Sequence, residues 1–425
     1  MLAFLTLLLG IVSGLREVVL TVPENARSVE IFLDGERVGL LRSPPWELKV
    51  DFGPLPAPHH LDAVARDGRD TEIGRVRQLV NLPRPEQVSS LALLPGSGGS
   101  GRLARLDLES VVGGTPLRVA VSFDGRLLAA PDLHRIELPS FVPERLHFLR
   151  AVIDLSRGGR IEAEITFGGK THDETSRELT AVALRVPGGK VPAPEEMTGW
   201  LVADGTTPRV VATEGGAASI AFVLDADGPV AFQRLRRLAF LPLGIGKLHG
   251  DPEVRTITAY PEFAGGSQTT YEVFPRSLPH VLGNGLLEAL GSVTAVWYTR
   301  STCPRLTDAV AAAGLATAAW SHPRAVVLVL TGNPDASVRP VQHARSFLAD
   351  LGVPLVVWTA GGAAPETAGQ WGGGRSVKTL GEFRAAVRAL DAVVAEQRIV
   401  WIEGLYLPQS VSLGPSAPAG VEIAR

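Results

Sequence analysis

Cysteine is almost absent: Cys303 is the one thiol in 425 residues. That excludes an internal disulfide framework and any zinc site built on several thiolates. The 9 histidines, His59-His60 among them, include no His-Glu-x-x-His or comparable ligand spacing. No Gly-x-Ser-x-Gly nucleophile elbow is present either. Charge of one sign is also missing. The formal net charge is −3, with basic and acidic residues spread along the chain, so neither nucleic acid nor an anionic membrane is called for. Beyond the amino terminus no run is long and apolar enough to form a transmembrane helix.

What is present reads as globular and turn-rich. Apolar residues make up 45% and charged residues 20%, and 46 Gly with 32 Pro favour strands and turns over a helical bundle. The opening stretch, Met1 to Gly14, is a short apolar run followed by small residues. It has the character of an export signal over residues 1–16, placing the protein in a secreted, periplasmic or envelope setting. The competing readings are a buried first strand and a misplaced start codon.

From residue 17 to 84 the pattern is β. Val18–Val22 and Ser28–Leu33 alternate with period two, and Asp34-Gly35 supplies a hairpin turn. Glu47–Phe52 and Leu61–Ala65 continue, with a turn at Asp67-Gly68. The order recurs over 85–176: Val119–Phe123 leads into Asp124-Gly125, then Leu149–Ile153 and a turn at Arg157–Gly159. Gly35 to Leu61 is 26 residues and Gly125 to Leu149 is 24, which argues two β-sandwich modules of one ancestry. From about residue 177 to 408, strands alternate with helices. Strands are expected at Ser219–Leu224, Val254–Tyr260, Ala325–Leu330, Pro354–Trp358 and Ile399–Tyr406. Helical faces run through Phe232, Leu235, Leu238 and Ala239, through Val341, Ala344, Leu348 and Leu351, and through Leu380, Phe383, Val387, Leu390 and Val394. The expected fold is β plus α/β: two Ig-like sandwiches, then a doubly wound, mainly parallel Rossmann-like sheet, with residues 409–425 as a strand or tail.

Pro194–Gly205, Ala221–Asp225, Val327–Asp335, Gly352–Val357 and Leu380–Pro408, taken in order, resemble stretches of the von Willebrand factor type A fold, in the form found in secreted proteins common in acidobacteria. Pro194 to Gly205 resembles the segment that precedes the type A domain in those proteins, and Ala221–Asp225 its first strand and leading aspartate. Val327 to Asp335 is similar to the strand that normally ends in Thr-Asp-Gly, Gly352–Val357 to the next strand, and Leu380 to Pro408 to the closing helix and strand. The resemblance implies a magnesium-dependent adhesion site with the pattern Asp-x-Ser-x-Ser, a distant Thr and a distant Asp. On this chain the first three positions fall on Asp225, Asp227 and Pro229 and the distant Asp on Thr331, while the distant Thr is either Thr294 or missing altogether. Proline has no hydroxyl, so an oxygen ligand is missing. Asp225, Asp227 and Asp335 remain as a vestigial metal set; the other reading makes them turn and helix-cap carboxylates.

Other stretches carry plainer readings. Gly96–Gly101 reads as linker and Gly244–Gly250 as a loop, since neither has the flanking pattern of a nucleotide site. Cys303 reads as structural, and Trp46 beside Pro44-Pro45 as a core or edge plug. The expected function is non-enzymatic protein–protein binding, adhesion or scaffolding, with no cofactor. The contact face would be Asp225, Asp227, Pro229, Thr294, Thr331 and Asp335. Alternatives are a magnesium- or calcium-dependent binder, a structural subunit of an envelope complex, and an enzyme of unknown class.

Overall fold

The computed structural model describes residues 2–6, 8, 11–82, 88–94, 103–109, 116–129, 132–133, 135–142, 146–155, 160–168, 179–215, 218–225, 227–239, 248, 252–258, 276–277, 285–293, 304–318, 322–362 and 365–425. The chain divides into one unit of residues 1–83 with 179–425 and another of residues 84–178.

The first unit begins with β1 (Ala3–Phe4), β2 (Leu15–Thr21), β3 (Ser28–Leu33), β4 (Glu36–Leu41), β5 (Glu47–Asp51), β6 (His59–Arg66) and β7 (Glu72–Val80). They form a three-stranded sheet, β1-β2-β5, and a four-stranded sheet, β4-β3-β6-β7. Alternate residues of both sheets meet in one core: Val18 and Leu20, Val29 and Ile31, Val50, and Leu61, Ala63 and Ala65. Asp34 (φ 54°) and Gly35 (φ 86°) are both left-handed, the pairing that a two-residue hairpin turn demands. The Asp34 carboxylate also reaches β6, 2.6 Å from His59 Nδ1 and accepting the His60 N–H at 2.8 Å.

The segment with the character of an export signal supplies β1 and buries Leu8 and Val12 in this core. Asn81 clasps it there. Its Oδ1 accepts the Val12 N–H at 2.6 Å and its Nδ2 donates to the Val12 carbonyl at 2.7 Å.

The second unit has the same plan. Its strands are β8 (Val88–Leu94), β9 (Leu103–Glu109), β10 (Pro116–Phe123), β11 (Arg126–Leu128), β12 (Ile136–Glu137), β13 (Leu146–Leu155) and β14 (Arg160–Gly168). The sheet orders, β8-β9-β12 and β11-β10-β13-β14, match the first unit's strand for strand. The clasp recurs as well: Asp124 (φ 48°) lies 2.8 Å from His147 Nδ1 and accepts the Phe148 N–H at 2.9 Å. Both copies therefore carry His-x-Leu-x-Ala-Val on the strand, at His59 and at His147. The turn at Arg157–Gly159 lies outside the described residues.

The rest of the first unit is mixed. In chain order it contains β15 (Leu179–Arg185), β16 (Leu201–Ala203), β17 (Val210–Glu214), β18 (Ser219–Leu224), α1 (Gly228–Leu238), β19 (Glu253–Thr258), β20 (Arg276–Ser277), α2 (Leu286–Ser292), α3 (Leu306–Ala318) and β21 (Arg324–Leu330). It continues with α4 (Val341–Asp350), β22 (Leu355–Thr359), α5 (Pro365–Gln370), β23 (Arg375–Ser376), α6 (Leu380–Ala395), β24 (Gln397–Glu403), β25 (Val411–Leu413) and β26 (Glu422–Ile423).

A six-stranded sheet runs β20-β19-β18-β21-β22-β23, parallel throughout except for β20 at its edge. Every residue of β18 and β21 is buried, because helices cover both faces. Ile220, Phe222 and Leu224 pack with Phe232 of α1 and Phe383 and Leu390 of α6. The intervening Ala221 and Val223 pack with Val310 of α3 and Phe347 of α4. The fold is thus β plus α/β, with a Rossmann-like parallel sheet.

Two expectations need correction. Ile399–Tyr406 was expected in the parallel sheet; β24 instead lies antiparallel between β17 and β15, in a separate sheet ordered β17-β24-β15-β26. Its Val400 and Ile402 face Met197 and Trp200, so the apolar run serves another core. Leu238, placed by periodicity on a buried face, is 74% exposed because α1 ends there and Ala239 turns extended. Among the described residues no helix is long and apolar enough to cross a membrane.

Candidate functional site

The parallel sheet reads 3-2-1-4-5-6 in order of appearance, so its crossovers diverge on either side of β18 and β21. At such a switch point the ends of two neighbouring strands open a crevice. Asp225 follows β18 and Thr331 follows β21, placing both at that crevice.

Local chemistry explains how Asp225 is aimed. Its backbone N–H donates to the Val329 carbonyl at 3.2 Å, extending the ladder one residue past the strand. Its carbonyl then accepts the Gly228 N–H at 2.8 Å, closing the turn into α1. Pro229 sits buried in the first turn of that helix, where a missing N–H loses no hydrogen bond. The Asp225 side chain is left pointing across to β21 and is 1% exposed.

Donors converge on it there. Oδ2 accepts from the Thr331 N–H at 2.9 Å, from Thr331 Oγ1 at 2.6 Å and from the Asn333 N–H at 3.3 Å. Oδ1 accepts from Asn333 Nδ2 at 3.0 Å. The same Nδ2 lies 3.2 Å from Thr331 Oγ1 and 3.4 Å from Asp227 Oδ2. The structure therefore brings Asp225, Asp227 and Thr331 together, with Asn333 among them. Two backbone N–H groups, a hydroxyl and an amide satisfy a carboxylate that burial would otherwise strand.

Asp335 stands in the same loop but does different work. It accepts from the backbone N–H groups of Leu306 (2.9 Å) and Thr307 (3.1 Å), capping α3 from a distant part of the chain. Thr307 Oγ1 and Ser337 Oγ donate to it as well, at 2.5 and 2.6 Å. That is the helix-cap role, not a place beside Asp225. Among the described residues no three His, Cys, Asp or Glu side chains group so as to hold a metal. Thr294 and Cys303 lie outside the described residues.

Magnesium or calcium wants oxygen atoms with free lone pairs. Here an N–H donor stands where three oxygen atoms meet, and Pro229 contributes nothing. Asp225, Asp227, Thr331 and Asn333 all carry side-chain oxygens, and it is the placement of Asn333 Nδ2 among them that opposes a hard cation. Asn333, three residues past the end of β21, lies outside the pattern that singles out Asp225, although an Asn shortly after an apolar strand is a familiar turn signal.

A second unheralded residue, Arg324, lies at the opposite end of β21. It is 5% exposed and donates to the carbonyls of Gly352 (3.1 Å), Ala318 (3.2 Å) and Leu351 (3.2 Å). Those carbonyls close α3 and α4, whose negative dipole ends receive the guanidinium. Burial pushes its pKa down to about 10.

No family model matches the sequence, and no curated protein does. Among solved structures, the fibronectin(III)-like modules of Clostridium thermocellum CbhA are 18% identical, with 19% of this chain and 93% of that chain covered and a TM-score of 0.17. Proximal thread matrix protein 1 from the mussel byssus is 13% identical over 52% of this chain and 50% of that one, with a TM-score of 0.29. The Bacteroides ovatus mixed-linkage glucan protein SGBP-B is 14% identical over 49% and 57%, with a TM-score of 0.14. The chain thus spans about half the length of the last two. Likenesses this remote do not bear on function.

Proposed function

We propose that this chain is a non-enzymatic binding or scaffold protein, allied to the type A fold, that engages a protein partner without a divalent cation. The contact face would be the crevice end of the parallel sheet, around Asp225–Pro229 and Thr331–Asp335. One observation carries the reading: the Asp225 carboxylate is 1% exposed and hydrogen-bonded by Thr331 and Asn333, so it presents no ligand to a metal-borne partner. Recognition then falls to shape and apolar contact. Pro334, Ala336 and Val338 are exposed on the loop that follows, and Val338 is 82% exposed.

Capture from envelope extracts on the immobilised full chain tests this, run in chelator, in Mg²⁺ and with Val338→Asp. The same partner should appear in both buffers and be lost with the variant. Capture that disappears in chelator, or that Val338→Asp leaves unchanged, refutes the proposal.

A further inference from the structure

We infer that the side-chain amide of Asn333 is a built-in substitute for a cation, which holds the crevice loop in one conformation without metal. Asn333 Nδ2 lies 3.0 Å from Asp225 Oδ1, 3.2 Å from Thr331 Oγ1 and 3.4 Å from Asp227 Oδ2. Three oxygens converging from two strand ends is the arrangement a small cation gathers, and here an N–H donor gathers it. The orientation of the amide follows from its neighbours. Carboxylates only accept, and the Thr331 hydroxyl proton is committed to Asp225 Oδ2 at 2.6 Å. All three oxygens therefore offer lone pairs, and turning Oδ1 toward them would set acceptor against acceptor.

A neutral amide suffices because the charge of Asp225 is already shared. Thr331 N–H, Thr331 Oγ1 and the Asn333 N–H share Oδ2 between them, and the amide reaches Oδ1. Asp227 is exposed and keeps its solvent. Two residues on, Asp335 fastens the other end of the loop to the start of α3. The loop from Thr331 to Ser337 is thus tied at both ends, and the proposed contact face is preassembled. The inference deepens the cation-independent reading above, but its test involves no partner.

The full chain is melted in chelator, in Mg²⁺ and in Mn²⁺, as wild type and as Asn333→Asp. Wild type should melt alike in all three. Asn333→Asp sets a third carboxylate among acceptors, so it should melt lower in chelator and recover with Mn²⁺ or Mg²⁺ by on the order of 5 °C. Should the variant not fold, the wild-type side-chain amide resonances decide. The Asn333 NH₂ protons should exchange slowly with solvent and keep their shifts when Mg²⁺ is added. The inference fails if wild type is stabilised by Mg²⁺, if Asn333→Asp melts like wild type in chelator, if metal does not rescue it, or if the amide exchanges freely. A cation-independent capture result would stand even so, which separates the two failures.

Discussion

Arg324→Met removes a charge from the α/β core while nearly keeping its volume. Two opposed effects decide the outcome. The guanidinium donates to three carbonyls, of Ala318, Leu351 and Gly352. Leaving these carbonyls without their donor costs up to about 1.5 kcal/mol each, less for the part-buried one of Ala318, so the loss is roughly 4 kcal/mol. Against that, burial lowers the pKa to about 10. At 1.36 kcal/mol per pH unit, methionine recovers roughly 3 kcal/mol of desolvation.

The variant should therefore be less stable by about 1 kcal/mol at neutral pH. Urea unfolding followed by the fluorescence of the buried Trp358 and Trp371 measures it, since both lie in the cores of this sheet. Because burial depresses the folded-state pKa to about 10, the unfolded chain holds the proton more tightly in the alkaline window that begins near there. Wild-type stability should gain from this group as pH rises through that window, and Arg324→Met should lack that gain. Equal or greater stability of the variant at neutral pH would show that the helix-end carbonyls do not hold the charge, and would refute the reasoning.

Asp335→Ala removes the acceptor that caps α3 and should cost about 1–2 kcal/mol in chemical denaturation, with Asp335→Asn recovering part of it. Gly314→Ala would place a methyl group 2.5 Å from Leu348 Cδ1 and 2.8 Å from its Cγ, where α3 faces α4. Overpacking of about 1–3 kcal/mol should outweigh the better helix propensity of alanine, and a melting temperature at or above wild type would overturn it.

Much of the fold was legible. Ser28–Leu33 and Ser219–Leu224 were read with the bounds they have, because period-two alternation marks a half-buried strand and an unbroken apolar run a fully buried one. The spacing of the Asp-Gly turns announced the repeat, although the His59 and His147 clasps that complete it were not read. Val400 and Ile402 have the apolar look of a parallel strand, yet they lie in an antiparallel sheet; a run of side chains does not name its neighbour. Likewise the residues from Leu8 to Val12 suit an export signal and a sandwich core equally well by composition.

Local pattern, composition and turn chemistry were enough for the two-part β and α/β organisation and for pointing to Asp225, since each depends on neighbours within a few residues. Tertiary structure alone decided what Asp225 meets. Its partners Thr331 and Asn333 are 106 and 108 residues away, brought within hydrogen-bonding distance only by parallel pairing of β18 with β21. The physical reason is that a carboxylate's role is set by the donors around it, and those donors arrive from distant parts of the chain.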